Sequence, residues 1–523
     1  MFRKQYIIAA LLTVASVFSG CTNLDEDVFS SIPENDFYKT ESEFLAAMVP
    51  VYSSMRAMTD WQNWWDLEET TDVCVTPVKN HGLWYDGGIY IRLHQHSWTE
   101  EDPHLNAIWN VLYAGVSSAN RVLYQFENSS IEIPAKKNYI SELKVARAFY
   151  YYLLLEAFGN IPIIDRFDVP DGYLPATESR AKVFQFVETE LKDNIDNLSE
   201  DRLNTYGRFN KWNAKMLLAR MYLNAEAWIG TPKYSECEAL CDEIILAKYR
   251  LDGDYSLPFS TNNELSNETM FVIPFDETKS GGQIYMWARK TLHYSQMQTF
   301  SLQSTWLDGG CLGVPTFFDN YIEGDERLEK TWRMGQQYAL DGTPLWTNGW
   351  CGDPQMLLSY TREVTNISGD ATMYQGYRFG KYEIKVGATG TPDNDYVIMR
   401  YAEVLMTKAE CILRTGGNPQ DAADLVNEVR RRNFDTTNEL TGSDLAATIA
   451  YNGVSVKYGR LLQELGVEFA LEGLRRSQLI RFDDNFTKGT WWEHTPTNDT
   501  KRNLMLIPFD QLQRNSNLVQ NPK

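Results

Sequence analysis

Apolar residues in this chain recur mostly three and four apart, the period of a helix buried along one face, in two blocks separated by long stretches without that period. The densest signal is NYISELKVARAFYYYLLLEAFGNIP at 138–162. Tyr139, Leu143, Ala146, Tyr150, Leu153 and Ala157 form one stripe there, and Ile140, Tyr151, Leu154 and Phe158 a second beside it. A helix that is apolar on two sides needs neighbours on both. Pro134 suits its entry, and Gly159 followed by Pro162 ends it.

The neighbours are present. Residues 41–58 place Phe44, Met48, Val51, Tyr52 and Met55 on one side, and 102–126 turn Trp109, Leu112, Tyr113, Val116, Ala119 and Val122 inward. Helices are predicted at 178–198, from the N-cap Asn210 through KWNAKMLLARMYLNAEAW, and at 234–249. Later ones are VIMRYAEVLMTKAECILRTGG, closed by Gly416 and Gly417, then 419–432, and the stretch 456–482. The polar, proline-marked end, 504–523, reads as a strap across a folded body. The expected fold is mainly α, a scaffold of tetratricopeptide-like helical hairpins (41–250 and 398–523) carrying a large irregular insertion. The aperiodic stretches, 59–102 and 251–397, are predicted to be loop-rich, and loops of that length usually carry function.

Composition sharpens this division. Of 15 Trp, only Trp109, Trp212 and Trp228 fall in predicted helices, so most of the large flat side chains belong to the irregular regions. Such residues either pack beneath long loops or bind something. Residues 59–102 mix Trp61, Trp64, Trp65, Trp84, Tyr85, Tyr90 and Trp98 with carboxylates and glycines, which suits a sugar, whose ring has an apolar face to stack and hydroxyls to pair. A net charge of −21 disfavours nucleic acid and anionic lipid as partners.

Arg3 and Lys4 precede an apolar run from Tyr6 to Phe18, too short to cross a bilayer but right for a signal peptide over 1–20. The run ends in VFSGC, which resembles a bacterial lipobox, so Cys21 is expected to carry lipid at the start of a tether, 21–40. Asp25, Glu26 and Asp27 just behind it are similar to the acidic signal for surface display in Bacteroidota, or form a plain solvated linker. Six further cysteines show no CxxC spacing; Cys237 and Cys241 suit one buried helix face, and Cys311 and Cys351 could be bridged in an exported protein. His81, His94, His96 and His104 lie close in sequence. A metal site is conceivable there, but a strand-borne pair, His94 and His96, on a wet loop is the simpler account.

Seven segments together resemble the SusD/RagB family of outer-membrane lipoproteins: AFYYYLLLEAFGNIP (148–162), RFNKWNAKMLLARMYL (208–223), NNELSNETMFVIPF (262–275), RYAEVLMTKAE (400–410), VNEVRRR (426–432), EFALEGLRRSQLIRF (468–482) and LIPFDQLQRNSNLVQNP (506–522). Gln478, Leu465 and Lys523 depart from the family's usual Asp, Arg and Gly. The resemblance implies a lipid-anchored helical body facing the cell exterior on the outer membrane and sitting over a SusC-like TonB-dependent transporter. It also implies capture of oligo- or polysaccharide without bond breaking and without a cofactor. The stretch 71–98 looks like the subset that binds plant or dietary polysaccharides such as β-glucan or hemicellulose.

Platform candidates are Trp84, Trp287, Trp306, Trp332, Trp346 and Trp350, with Asp66, Asp72, His81, Asp86 and Arg362 as polar partners. Two other readings stand beside this one. A glycoside hydrolase would draw its carboxylate pair from Glu68, Glu69 and Asp72, and a third possibility is capture of peptide or glycoprotein.

Overall fold

The structure, a computed structural model, describes residues 40–279, 286–303, 307–389, 393–434 and 438–523, with the side chains of 286–288 left out. The expected signal peptide, Cys21 and nearly all of the tether lie outside these residues.

The chain enters through α1 (Glu41–Ser53), started by a capping box in which Thr40 accepts from the Glu43 amide while Glu43 reaches back to the Thr40 amide. It is followed by α2 (Pro103–Asn128), α3 (Lys136–Ala157), α4 (Arg180–Asn194), α5 (Lys211–Ile229) and α6 (Tyr234–Ile245). After the insertion come α7 (Tyr401–Thr415), α8 (Pro419–Arg430), α9 (Gly459–Glu468) and α10 (Arg475–Arg481). Consecutive helices from α2 to α6 pack side by side, α7 closes onto α6, and α8 onto α7, which makes a mainly helical stack of hairpins.

At the centre of this stack, α3 buries residues on every side, including Tyr150, Tyr151 and Leu154. The three consecutive tyrosines are core residues whose hydroxyls need partners. Tyr150 donates to the Val51 carbonyl (2.6 Å) and Tyr151 to the Ile164 carbonyl (3.0 Å). Asn210 caps α5, accepting from the amides of Trp212 and Asn213, and Gly416 ends α7 in the left-handed conformation.

Two helical expectations give way. Residues 396–400 form a strand paired antiparallel with Thr269–Ile273, so only the second part of VIMRYAEV is helix. Both partners lie between the scaffold and the insertion, where extended backbone pairing satisfies buried amides that a helix start there would leave open. The stretch 456–482 is not one helix: it breaks between α9 and α10, where Leu471 and Gly473 have φ of 67° and 73°.

The break creates a polar core. It places Glu464, Glu468 and Glu472 against Arg327 and Lys381 of the insertion and against Arg400 at the head of α7. Arg400 bonds Glu268 (2.7 Å), Glu468 (2.8 Å) and Glu472 (2.7 Å), while Arg432 joins Glu268 (2.6 Å) and also pairs with Glu468. Burial works against the charge of Glu468, but Arg432, Arg400 and Arg327 outweigh it and hold its carboxyl at about 2. Charges this deep persist only when each is paired and hydrogen-bonded.

The end of the chain lies over this body as a strap. The Met505 amide donates to Ala157 at the end of α3, and Asn521 donates to the carbonyls of Phe158 (2.6 Å) and Met505 (2.8 Å).

Candidate functional site

Two loops that are far apart in sequence meet on one face. The first, 80–88, is held to a Lys79–Leu83 turn by reciprocal backbone bonds of 2.8 Å. Trp84 has φ +64°, a conformation that bulky side chains avoid and that only a constrained loop maintains. Its ring stacks on Trp61 at 5.1 Å and 18°, meets Tyr90 edge-on at 5.8 Å, and donates through Nε1 to the Asp308 carbonyl (3.1 Å).

The second loop, 346–353, carries Trp350, whose ring lies 4.7 Å from His293 and 5.9 Å from Tyr294. The backbone of Gly309 and Gly310 runs between the two rings. A Cβ at Gly310 would fall 2.4 Å from the Trp84 ring, and one at Gly309 3.2 Å from Trp350, so both rings rest directly on bare backbone. Lys79 (2.5 Å) and Arg378 (3.3 Å) bond the Gly309 carbonyl from beneath. Burial, and then the charge of Arg378, drive the Lys79 ammonium pKa far down.

Asn80 clamps the loops together: its Nδ2 donates to the Cys351 carbonyl (2.9 Å) and to Asp353 Oδ1 (2.8 Å), which also accepts from the Met373 amide (3.1 Å). The result is an aromatic shelf of Trp61, Trp84, Trp350 and Tyr294, half-buried or exposed, with Tyr85 (55% exposed) at its edge. Arg289 borders it, 5.8 Å from the Trp61 ring and bonded to Asp308 (2.8 Å). Trp84 is held between Trp61 and Gly310 and supports the shelf, so the stacking surface is that of Trp61, Trp350 and Tyr294, with hydrogen-bonding groups at the rim.

The expected site residues divide. Trp84 and Trp350 meet across the glycine strip, and Trp346 is 46% exposed on the adjoining hairpin. His81 and Asp86 are exposed on the Trp84 loop. Trp306 and the side chain of Trp287 lie outside the described residues.

Trp332 is not part of a platform. It is 2% exposed, packed against Phe318 and Phe379, with Nε1 donating to Tyr321. Asp66 is buried too, bonded to Lys290 (2.8 Å) and His104 (3.1 Å); it supports the shelf from below, since Lys290 lies 4.6 Å from the Tyr90 ring. Asp72 is buried against Arg475 (2.8 Å), Tyr451 and Asn452. Burial opposes its ionisation, but Arg475 outweighs that and keeps the carboxyl below the ordinary range. Arg362 bonds the Pro315 carbonyl and Asp319, none of which belongs to the shelf.

The histidine expectation also changes. His94 ends a short helix, Ile89–His94, and both it and His96 are buried rather than strand-borne and wet. They face His494, which stacks on Trp491 at 3.7 Å, and their Nε2 atoms bond the carbonyls of Trp492 (2.7 Å) and Thr70 (2.6 Å). Among the described residues no group of three or more His, Cys, Asp or Glu is placed to hold a metal ion. Cys311 is buried beside strand Cys74–Val75 while Cys351 is exposed, and neither is in a disulfide.

Glu68, Glu69 and Asp72 are all buried, so they do not face a substrate. Burial, against the opposing pull of Arg475, raises the Glu68 carboxyl to about 8. Its charged neighbours are the interior residues Arg475, Asp72 and Glu472. Sequence reasoning passed over Trp61, Tyr294 and Asn80 as site residues. Trp61 sat in the aromatic run already singled out, but Tyr294 and Asn80 carry no local signal, because their roles depend on contacts over long sequence separations.

Residues 260–523 match the sequence signature described as the SusD family, and residues 31–223 match one described as "Starch-binding associating with outer membrane". The starch-binding protein SusD of Bacteroides thetaiotaomicron is 24% identical, with 93% of this chain and 86% of that protein covered. Among solved structures, a laminarin-binding SusD-like protein superposes with a TM-score of 0.69 at 21% identity, covering 93% of this chain and all of the other. Surface glycan-binding protein A from Bacteroides thetaiotaomicron, in complex with laminarihexaose, superposes with a TM-score of 0.70 at 19% identity, over 92% of this chain and 99% of the other. The fold, the order of its segments and the matched signatures agree, and the chain belongs to the SusD family.

Proposed function

We propose that the protein is a cell-surface lipoprotein, anchored through Cys21 in the outer membrane, that binds a neutral oligo- or polysaccharide of plant-type β-glucan or hemicellulose class. It delivers this glycan to a SusC-like TonB-dependent transporter and breaks no bond. The observation that carries the reading is the shelf itself, Trp84 on Trp61 and Trp350 by Tyr294, set on the bare Gly309–Gly310 backbone. Stacked sugar faces would gain about 25 cal/mol per Å² of apolar area buried, and a shelf held rigid before binding saves the ordering cost. His81, Asp86 and Arg289 supply hydrogen bonds at its rim. Family membership, and relatives named for binding starch and laminarin, support a glycan over a peptide as ligand.

Native gels cast with laminarin, xyloglucan, mixed-linkage β-glucan, xylan, mannan or starch test the reading. Retardation by at least one, with no new reducing ends after prolonged incubation, is the expected result. Mobility unchanged on all six overturns it, and turnover of any overturns the non-catalytic part.

A further inference from the structure

Next to the shelf, residues 335–360 fold into a small antiparallel sheet, in which Gly335–Gln336 pairs with Ser359–Tyr360 and single bridges join Tyr338 to Pro344 and Trp346 to Leu357. Its hydrogen bonds run from Gln337 to Leu358 (2.8 Å), Leu345 to Gln337 (2.9 Å), Leu358 to Leu345 (2.7 Å) and Thr347 to Met356 (2.9 Å). Side chains alternate between the faces of a sheet. Leu345, Leu358 and Tyr360 point inward and are buried with Ala339, Tyr374 and Tyr377. The outward face is apolar as well: Tyr338 (48% exposed), Trp346 (46%) and Leu357 (42%) stand on it, with Trp346 directly opposite Leu357 and Leu340 (57%) on the turn at its end.

A sheet that is apolar on both faces departs from the usual apolar-in, polar-out pattern. The outward patch rests on four partly exposed side chains, whereas each partner of a stable protein interface contributes roughly 800 Å² from about 20–30 residues. It is also nearly uncharged, because residues 335–360 contain no Lys or Arg, and their two acidic residues are Asp341 at the hairpin tip and the buried Asp353. The patch continues the shelf. Ser295 donates to the Trp346 carbonyl (2.7 Å) and Thr299 to the Tyr338 carbonyl (2.7 Å), so the sheet is fixed to the segment that begins with the shelf residue Tyr294.

We propose that the outward face of this sheet is a second glycan platform, joined to the shelf through Tyr294, and that the protein prefers long neutral polysaccharide chains to short oligosaccharides. This rests on the glycan-binding reading above and adds the length of the ligand to it. A chain seated on the shelf brings its own continuation to the sheet at high effective concentration, so weak contacts there raise polymer affinity without helping a fragment that ends on the shelf.

The test is calorimetry on the full lipid-free chain with laminarin, xyloglucan, mixed-linkage β-glucan, xylan, mannan and starch, each beside an oligosaccharide of four residues. The double variant Tyr338→Ala/Trp346→Ala is expected to lose about tenfold in affinity for the retained polymer and less than twofold for its tetrasaccharide. Leu340→Ser/Leu357→Ser, which leaves both aromatic residues in place, gives a smaller loss in the same pattern and guards against misfolding of the first variant. Equal losses on polymer and tetrasaccharide, or no loss on either, overturn the second platform while wild-type binding stands. A wild type that binds no polymer removes the glycan reading, and the second platform with it.

Discussion

The polar centre between α7, α9 and the insertion is built from arginine and glutamate, the aromatic shelf between two loops from tryptophan and tyrosine, and the two are opposites in exposure as well. In the centre, Arg400, Glu268, Glu468 and Glu472 are buried and every charge is paired. On the shelf, Trp84 and Trp350 are half-buried against a backbone strip too narrow for a side chain, and Tyr294 beside Trp350 is exposed. The difference teaches that chemistry-bearing residues specify the fold where they are buried among partners, and can act on a ligand where they keep exposed surface. The family-like segments illustrate it: Glu268, Arg400, Arg430, Arg432, Glu468, Glu472 and Arg475 all lie in them, and all are ion-paired in the interior.

The largest effect is expected in the centre. Arg400→Ala leaves three carboxylates facing one another without their shared cation, and should cost about 3–5 kcal/mol in denaturant unfolding. A loss under about 1 kcal/mol would mean that the network is not holding the insertion to the scaffold.

Next comes acid. Burial lowers the imidazole pKa to about 3 for His94 and about 4 for His494, and far below the ordinary value for His96. Because the unfolded chain binds protons first, stability is full above about pH 6.5 and falls as pH drops from there toward 4, by roughly 2 kcal/mol or more. Urea midpoints measured across that range should show the decline, and His94→Gln/His494→Gln should flatten it. A wild-type profile level from pH 7 to 4.5 would contradict the buried, neutral cluster.

On the shelf the stability effects shrink and the binding effects take over. Asn80→Ala removes the bonds to Cys351 and Asp353 that hold the two loops together, and should weaken glycan binding about threefold with a loss of stability near 1 kcal/mol. Binding unchanged in calorimetry would show that the loops keep their register without the clamp.

How much of this was legible in the sequence follows the same divide. The helices around α3 were readable because their apolar stripes repeat locally, and the Asn210 cap because it needs only the next three residues. The strand at 396–400 and the break near Leu471 were not, since pairing with Thr269–Ile273 and charge partners from the insertion decide them. Among site candidates, Trp84 and Trp350 could be named as loop aromatics, but nothing local separates them from Trp332, which is just as aromatic and is buried. Likewise Asp66 and Asp72 look like sugar-binding carboxylates until Lys290 and Arg475 are seen beside them. Exposure is a property of the whole fold, and a carboxylate or a tryptophan does not announce it.

The most direct measurement is titration calorimetry of wild type, Trp84→Ala and Trp350→Ala against the polysaccharide that retards the wild type most strongly, with thermal unfolding recorded on each. Each single variant is expected to bind at least tenfold more weakly while unfolding within a few degrees of wild type. Wild-type affinity in both variants would contradict the assignment of the shelf as the binding face.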